Sequence, residues 1–314
     1  MSKTFASSQD LKEQPTKIEE LAAGVYAYTA QGDPNTGFIS GAEGVMVIDA
    51  RATPILAREF IAEIRQRTDR PFEHLVLTHY HAVRVLGASA FGARYIVAHR
   101  GTRELVAERG EQDFASELAR FPRLFRNVES VPGLTWPTLT FDRELALHYG
   151  EREVRLVYLG RGHTRGDAAV WLPRERVLFA GDLVEAGAAL YCGDAYIEDW
   201  METLERVRAL GAEVLVPGRG PAVRGPAVQE AIDTTQGFLR VLRDTVRDCL
   251  QHEQTLKQAY EKAHAALAPQ YSQWPIFEHC MPFNVSRAYD ELAGVEPRVW
   301  TAARDQEIWR QLTA

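Results

Sequence analysis

The sequence predicts an α+β protein, a four-layer αβ/βα sandwich followed by a C-terminal helical extension. Short runs of β-forming residues, followed by helical periodicity, occur twice before residue 225. Several of the runs stop abruptly at glycine, histidine or aspartate. Beyond residue 226 the strand pattern ceases and apolar residues recur at helical spacing. Strands then helices, given twice, fit two sheets packed face to face with helices outside. The chain divides into a flexible polar tail (1–17), the two-sheet domain (18–225) and the helical extension (226–314).

Composition narrows the function classes. The 314 residues carry a net charge of −7, with 46% hydrophobic and 25% charged residues, ordinary values for a globular protein. An acidic balance argues against nucleic acid as a partner. No apolar run approaches the ~18 residues of a membrane span, so no membrane association is expected. The first ten residues lack an apolar signal segment, which makes the cytoplasm the expected compartment. Cys192, Cys249 and Cys280 are too scattered for a disulfide framework.

In chain order, residues 25–29, 37–40 and 44–49 read as strands separated by Gly32-Asp33-Pro34 and Gly41-Ala42-Glu43-Gly44 turns. Asp49 ends the third, suited either to capping a turn or to a buried position. Thr53-Pro54 opens a helix, with threonine as N-cap and proline at the first helical position. Residues 75–77 form a buried strand ending in Thr78-His79-Tyr80-His81, and a short helix is expected at 88–91. After a strand at 94–99, residues 101–137 read as an insertion broken by Pro122, Pro132 and Pro137. His99, with no partner motif beside it, reads as structural. The second β block runs through 138–141, 145–148, 154–159, 168–172 and 177–182, with His148 on a strand surface. Asp199 caps a helix to about Leu210. Helices at 227–268 and 284–292 complete the chain, their apolar faces suited to the core or to a second copy, a homodimer.

Three strand ends carry chemistry. His79 and His81, at i and i+2, can converge on one divalent ion if the backbone turns there. Gly160-Arg161-Gly162-His163-Thr164 sets a third histidine in a tight turn, and Gly181-Asp182 brings a carboxylate. Thr-His-x-His, Gly-His-Thr and Gly-Asp in this order resemble the metallo-β-lactamase superfamily over residues 18–225. The resemblance implies metal ligands His79, His81, His163 and Asp182, with Asp49 and Thr78 supporting them from behind.

The departures from that family are specific. Its His-x-His-x-Asp-His motif is here His79-Tyr80-His81-Ala82-Val83-Arg84, and a later family histidine is Arg219. The three-histidine site is intact, whereas the private ligands of a second metal are gone. The resemblance thus implies one zinc per chain, or alternatively one iron. The leading expectation is a mononuclear metal-dependent hydrolase that uses metal-bound water on a small ester, thioester, amide or related substrate, with Asp182 orienting the water or acting as base. Arg219 is expected to point into the lost site at Asp182. Arg84 and Arg219 are both expected to bind substrate; Arg84, at the mouth, would be freer to take an anionic one, so that removing Arg219 should weaken folding more than removing Arg84. One alternative is a mono-iron oxidoreductase resembling persulfide dioxygenases, through His79, His163 and Asp182. Another is a catalytically silent binding protein with salt bridges in place of metals.

Overall fold

The computed structural model describes residues 3–314. A seven-stranded sheet holds, in spatial and chain order, β1 (Thr16–Ala22), β2 (Val25–Ala30), β3 (Thr36–Ser40), β4 (Val45–Ile48), β5 (Phe72–Leu77), β6 (Tyr95–His99) and β7 (Leu139–Phe141). β1 to β4 are antiparallel neighbours, and β4 to β7 run parallel. Parallel strands need crossovers, supplied by α1 (Pro54–Arg65), the single turn α2 (Ala82–Val85) and α3 (Arg100–Arg120). The second sheet has β8 (Glu144–Tyr149), β9 (Arg152–Val157), β10 (Ala169–Leu172), β11 (Val177–Gly181), β12 (Val214–Pro217) and β13 (Val223–Arg224), again side by side in order. Only β11 and β12 are parallel there, joined through α4 (Ile197–Ala209).

The sheets pack face to face. Ile39, Met46, Ile48, Val76 and Val97 of one meet Leu156, Val170, Val177, Phe179 and Val216 of the other, all buried. α1 covers the outer face of the first sheet. Thr53 caps it by accepting from the Leu56 N–H, and Phe60 packs on Tyr28 with ring centroids 4.8 Å apart. The second sheet is covered by α4, α5 (Pro226–Gln251), α6 (Leu256–Tyr271) and α7 (Phe277–Leu292). Phe238, Leu239, Leu242 and Val246 of α5 are fully buried there, so this apolar face is covered by the chain's own α6 and α7. Among the described residues no helix is long and apolar enough to cross a membrane.

Several boundaries differ from the sequence reading. The tail is not loose over its described part: Phe5 is buried among Phe283, Trp300 and Trp309, and residues Ala6–Gln9 form a 3-10 turn. Residues 1–2 of that expected tail lie outside the described residues. The N-cap of α4 is Tyr196, and Glu291 of α7 accepts from the Ile197 and Glu198 N–H groups, while Asp199, inside the first turn, pairs with Arg161. α7 starts seven residues before Asn284, and a further helix, α8 (Ala302–Thr313), docks on α3 and α7. Residues 86–90, a little before the expected short helix, form a 3-10 turn.

Parallel register sets up the site. β4 and β5 pair Ile48 with Val76, so Asp49 and Thr78 emerge together. β11 and β12 pair Gly181 with Pro217, so Asp182 and Gly218-Arg219 do the same. Two hydrogen bonds tie the sheets at this edge, Ala168 N–H to the Thr78 carbonyl (2.8 Å) and Asn35 N–H to the Gly218 carbonyl (2.8 Å). Gly181 explains one close approach: at φ 55° its missing Cβ would lie 2.9 Å from the Thr78 Cβ.

Candidate metal centre

His79, His81 and His163 meet at this edge, all three buried. One nitrogen from each lies within 4.8 Å of the other two. The rings stand nearly perpendicular to one another, at 81°, 85° and 89° with centroids 4.8–4.9 Å apart. Such a trihedral corner presents three lone pairs to one point.

The tautomers follow from what the other ring nitrogens touch. His163 Nδ1 lies 2.8 Å from the Tyr191 carbonyl, which only accepts, so Nδ1 donates and Nε2 is a lone pair. His81 Nε2 faces the Asp194 carboxylate at 3.3 Å, which leaves Nδ1 inward. Thr78 Oγ1 donates to Asp49 (2.8 Å), so it accepts from His79 Nδ1 at 3.1 Å and leaves His79 Nε2 free. His79 Nε2 is indeed buried with no hydrogen-bond partner. His81 Nδ1 and His163 Nε2 sit 3.0 Å apart. Two lone pairs at that distance repel, and a positive centre between them, a proton on His81 or a metal ion, relieves it. Burial disfavours charge on His81, but Asp113, Asp194 and Glu117 outweigh it and pull its pKa up to about 9. Burial holds His163 at about 3.

Asp182 completes the corner. Its Oδ2 lies 3.4 Å from His163 Nε2 and 3.7 Å from His79 Nε2. Tetrahedral zinc with ~2.0–2.1 Å bonds spaces its ligand atoms about 3.4 Å apart. The three imidazoles, with their outer nitrogens fixed, therefore fit one divalent ion, with the Asp182 carboxylate oxygen beside its remaining position. Each ligand's outer nitrogen is anchored, as metal-binding histidines require.

Two guanidiniums fill the other side of Asp182. Arg84 donates from Nη2 to Asp182 Oδ1 and to the Gly218 carbonyl (2.7 Å), and from Nη1 to the Asn35 carbonyl (2.8 Å) and Asp49 (3.2 Å). Arg219 donates from Nη1 to Asp182 Oδ2 (3.1 Å) and Glu185 (3.3 Å). The expected place of Arg84 is thereby corrected. It is not at a mouth but 1% exposed and bound on four sides, so it has no free face for a substrate. Asp182 is also a poor base. Burial would raise its carboxyl, yet Arg84 and Arg219 outweigh that and hold it well below the usual range. Asp49, whose burial outweighs Arg84, is pushed up to about 6.

Several residues at the site escaped the sequence reading. Asp194 and Tyr191 lie in the segment between β11 and α4, where no periodicity marks them. Tyr80 and Arg109 hold Asp194 in turn. Asp113 and Glu117 of α3 accept from the Ala82 and Val83 N–H groups, both at 2.7 Å, and so cap α2 beside His81. The available signal was the polar stripe Arg109, Asp113, Ser116, Glu117, Arg120, at helical spacing on a helix whose polar face is buried. The insertion therefore borders the site. A cavity of about 390 Å³ opens between the tail, the end of α3 and the α6–α7 turn. Among the described residues, Arg219 is the member of the Asp182 cluster on its wall.

Known proteins resemble this chain over the two-sheet region. The family model of the metallo-beta-lactamase superfamily matches residues 30–219. A type 2 metallo-beta-lactamase of Bacillus sp. (strain 170) is 27% identical over 215 residues, 65% of this chain and 76% of that protein. One from Elizabethkingia meningoseptica is 24% identical over 229 residues, 69% and 84% respectively. In structure, a metallo-beta-lactamase from Pontibacter korlensis superposes with a TM-score of 0.57 at 23% identity, covering 72% of this chain and 99% of its own. A double mutant of the sec-alkyl sulfatase PisA1 gives 0.72 at 15% identity over 89% of this chain and 50% of its own. That coverage takes in helices beyond the two sheets. With the motifs, the strand-end histidines and the family model all in agreement over the same residues, the chain belongs to the metallo-β-lactamase superfamily.

Proposed function

We propose that the chain is a hydrolase that works with a single transition-metal ion, zinc in the simplest case, on a small ester, thioester, amide or related substrate. One observation carries this reading: three buried imidazole nitrogens converge on one point while each outer nitrogen is anchored. A divalent ion held by His79, His81 and His163 beside Asp182 would supply Lewis acidity and bring the pKa of bound water toward ~7. The chain's own part is then positional. Asp182, gripped by two arginines, orients what binds beside it rather than taking a proton. Arg84 and Arg219 supply fixed positive charge where relatives would need a second ion, and Val83 offers no ligand there.

The inward Nδ1 of His81 weighs against the iron reading, which leaves that residue out. The silent reading is also weakened, because the salt bridges occupy only the second position and leave the three histidines open. The test is metal analysis of protein purified without added metal, together with turnover of a panel of ester, thioester and amide substrates. One equivalent of metal, and hydrolysis abolished in His163→Ala, is expected. Two equivalents, full occupancy in His163→Ala, or oxygen consumption without hydrolysis would each overturn the reading.

A further inference from the structure

The 390 Å³ cavity is lined on one side by Phe121, Leu124, Trp274 and Ile276 and bounded inside by Arg219. Three features of that wall point to one kind of ligand. Arg219 is 6% exposed and spends Nη1 on Asp182 and Glu185. Its Nε and Nη2 make no hydrogen bond with the described residues, and neither is among the enclosed atoms without a partner, so this two-donor edge faces the cavity. Such an edge matches two oxygens of an anion.

The second feature is the start of α7, a sixteen-residue helix without a side-chain cap. Phe277 N–H reaches the Trp274 carbonyl and Cys280 N–H the Ile276 carbonyl, while the N–H groups of Glu278 and His279 find no acceptor among the described residues. Both residues line the cavity. Open N–H groups at a helix start attract negative charge. The third is Ile276 itself, which precedes the helix at φ 60°, ψ 7°. A β-branched residue is strained in the left-handed region, and such strain concentrates where ligands are gripped. It sets an isoleucine side chain, rather than a capping oxygen, against the cavity. The acidic groups nearby are already engaged: Asp10 and Asp33 with Arg123, and Glu278 with His264.

We propose that this cavity binds an organic monoanion, a carboxylate or sulfate head on an apolar body, with the head between Arg219 and the open Glu278 and His279 N–H groups and the body along Phe121, Trp274 and Ile276. It names the anionic handle carried by the substrate of the hydrolase proposed above and rests on that reading, since Arg219 is separated from the histidine corner by Asp182 alone. The volume suits a ligand of this size.

Calorimetric titration with one body and three heads tests it: 4-phenylbutyrate, 4-phenylbutyl sulfate and 4-phenylbutanol, each added to the full chain as purified. At least one anion should bind tenfold or more tighter than the alcohol, and the tighter of the two identifies the head group. Arg219→Gln should level all three. Because Arg219 also supports Asp182, Ile276→Asp provides a second route. Aspartate tolerates the left-handed conformation and brings its own carboxylate to the same N–H groups, so it should remove the preference for anions and keep the alcohol's affinity. Binding is also measured in His163→Ala, where hydrolysis is not expected. Preference retained there supports the site whatever the fate of the hydrolase reading. Preference lost there would assign the head to the metal and overturn the proposal. So would an alcohol that binds as tightly as both anions, or an undiminished preference in folded Ile276→Asp.

Discussion

Arg84 and Asp182 form a buried ion pair, an α2 guanidinium set directly on the carboxylate that follows β11. Its other donors reach Asn35, Asp49 and Gly218, so one side chain ties the ends of β4, β11 and β12 to the β2–β3 turn. Breaking a buried pair from one side leaves a charge uncompensated, at about 3–5 kcal/mol. Arg84→Ala should therefore lower stability by roughly that amount in urea unfolding. Arg219→Ala should lower it less, about 1–3 kcal/mol, since water from the cavity can reach the released carboxylates. The sequence reading expected the opposite order. Equal losses in the two variants would mean that Arg84's extra partners contribute nothing.

Asp194 tests the metal corner without touching its ligand atoms. It fixes His81 from behind and is itself held by Tyr80 and Arg109. Partners of this kind are typically worth about 10–100-fold in metal affinity. Asp194→Asn keeps the shape and removes the charge, so affinity measured against a chromophoric chelator should fall within that range while the far-ultraviolet circular dichroism stays native. Unchanged affinity would show that His81 is positioned by packing alone.

The legible parts of this molecule were those where local pattern and tertiary role coincide. Thr53-Pro54 announced α1, and glycines around His163 and Asp182 announced strand ends, because backbone geometry there needs those residue types. The family resemblance and the charge of Asp182 together point Arg219 at that carboxylate, and it lies there at 3.1 Å. Arg84 was misplaced because its position depends on the turn of α2 after His81, which directs the guanidinium back between the sheets. Asp194 was invisible since its partner, His81, is 113 residues away. α8 is not legible because its few buried apolar residues, Ile308, Trp309 and Leu312, gain meaning only against Phe5 and Phe283.

Glu185 should make stability fall from mildly acidic pH to about pH 8. Burial and the nearby Asp182 outweigh Arg219 and push its carboxyl up from 4.5 to about 8. The folded protein thus holds a proton that the unfolded chain gives up above about 4.5. The contribution is full below that pH and lost as pH rises through about 8. Wild type should show a falling urea midpoint between pH 5 and 9, and Glu185→Gln a flatter profile, because the amide still accepts from the Arg219 N–H. Parallel profiles in the two proteins would rule this group out as the source.

The tail gives the last prediction. Phe5 is 1% exposed, with its ring 5.3 Å from Trp309, 5.7 Å from His279 and 6.2 Å from Phe283. Two residues on, Ser7 donates to the Arg120 carbonyl and meets His279 Nδ1 at 2.8 Å. The segment therefore joins the end of α3 to α7 and α8, and Ser7 forms part of the cavity wall. A buried phenylalanine cut to alanine loses transfer energy and leaves a void, about 3–5 kcal/mol in all. Phe5→Ala should show a loss of that order in urea unfolding and faster proteolysis between residues 3 and 15. Because α8 and the start of α7 would loosen together, the anion binding proposed for the cavity should weaken as well, while metal content stays at the wild-type level. A Phe5→Ala protein with wild-type stability and protease resistance would mean that the tail merely rests on the extension, and that α7 and α8 hold their places without it.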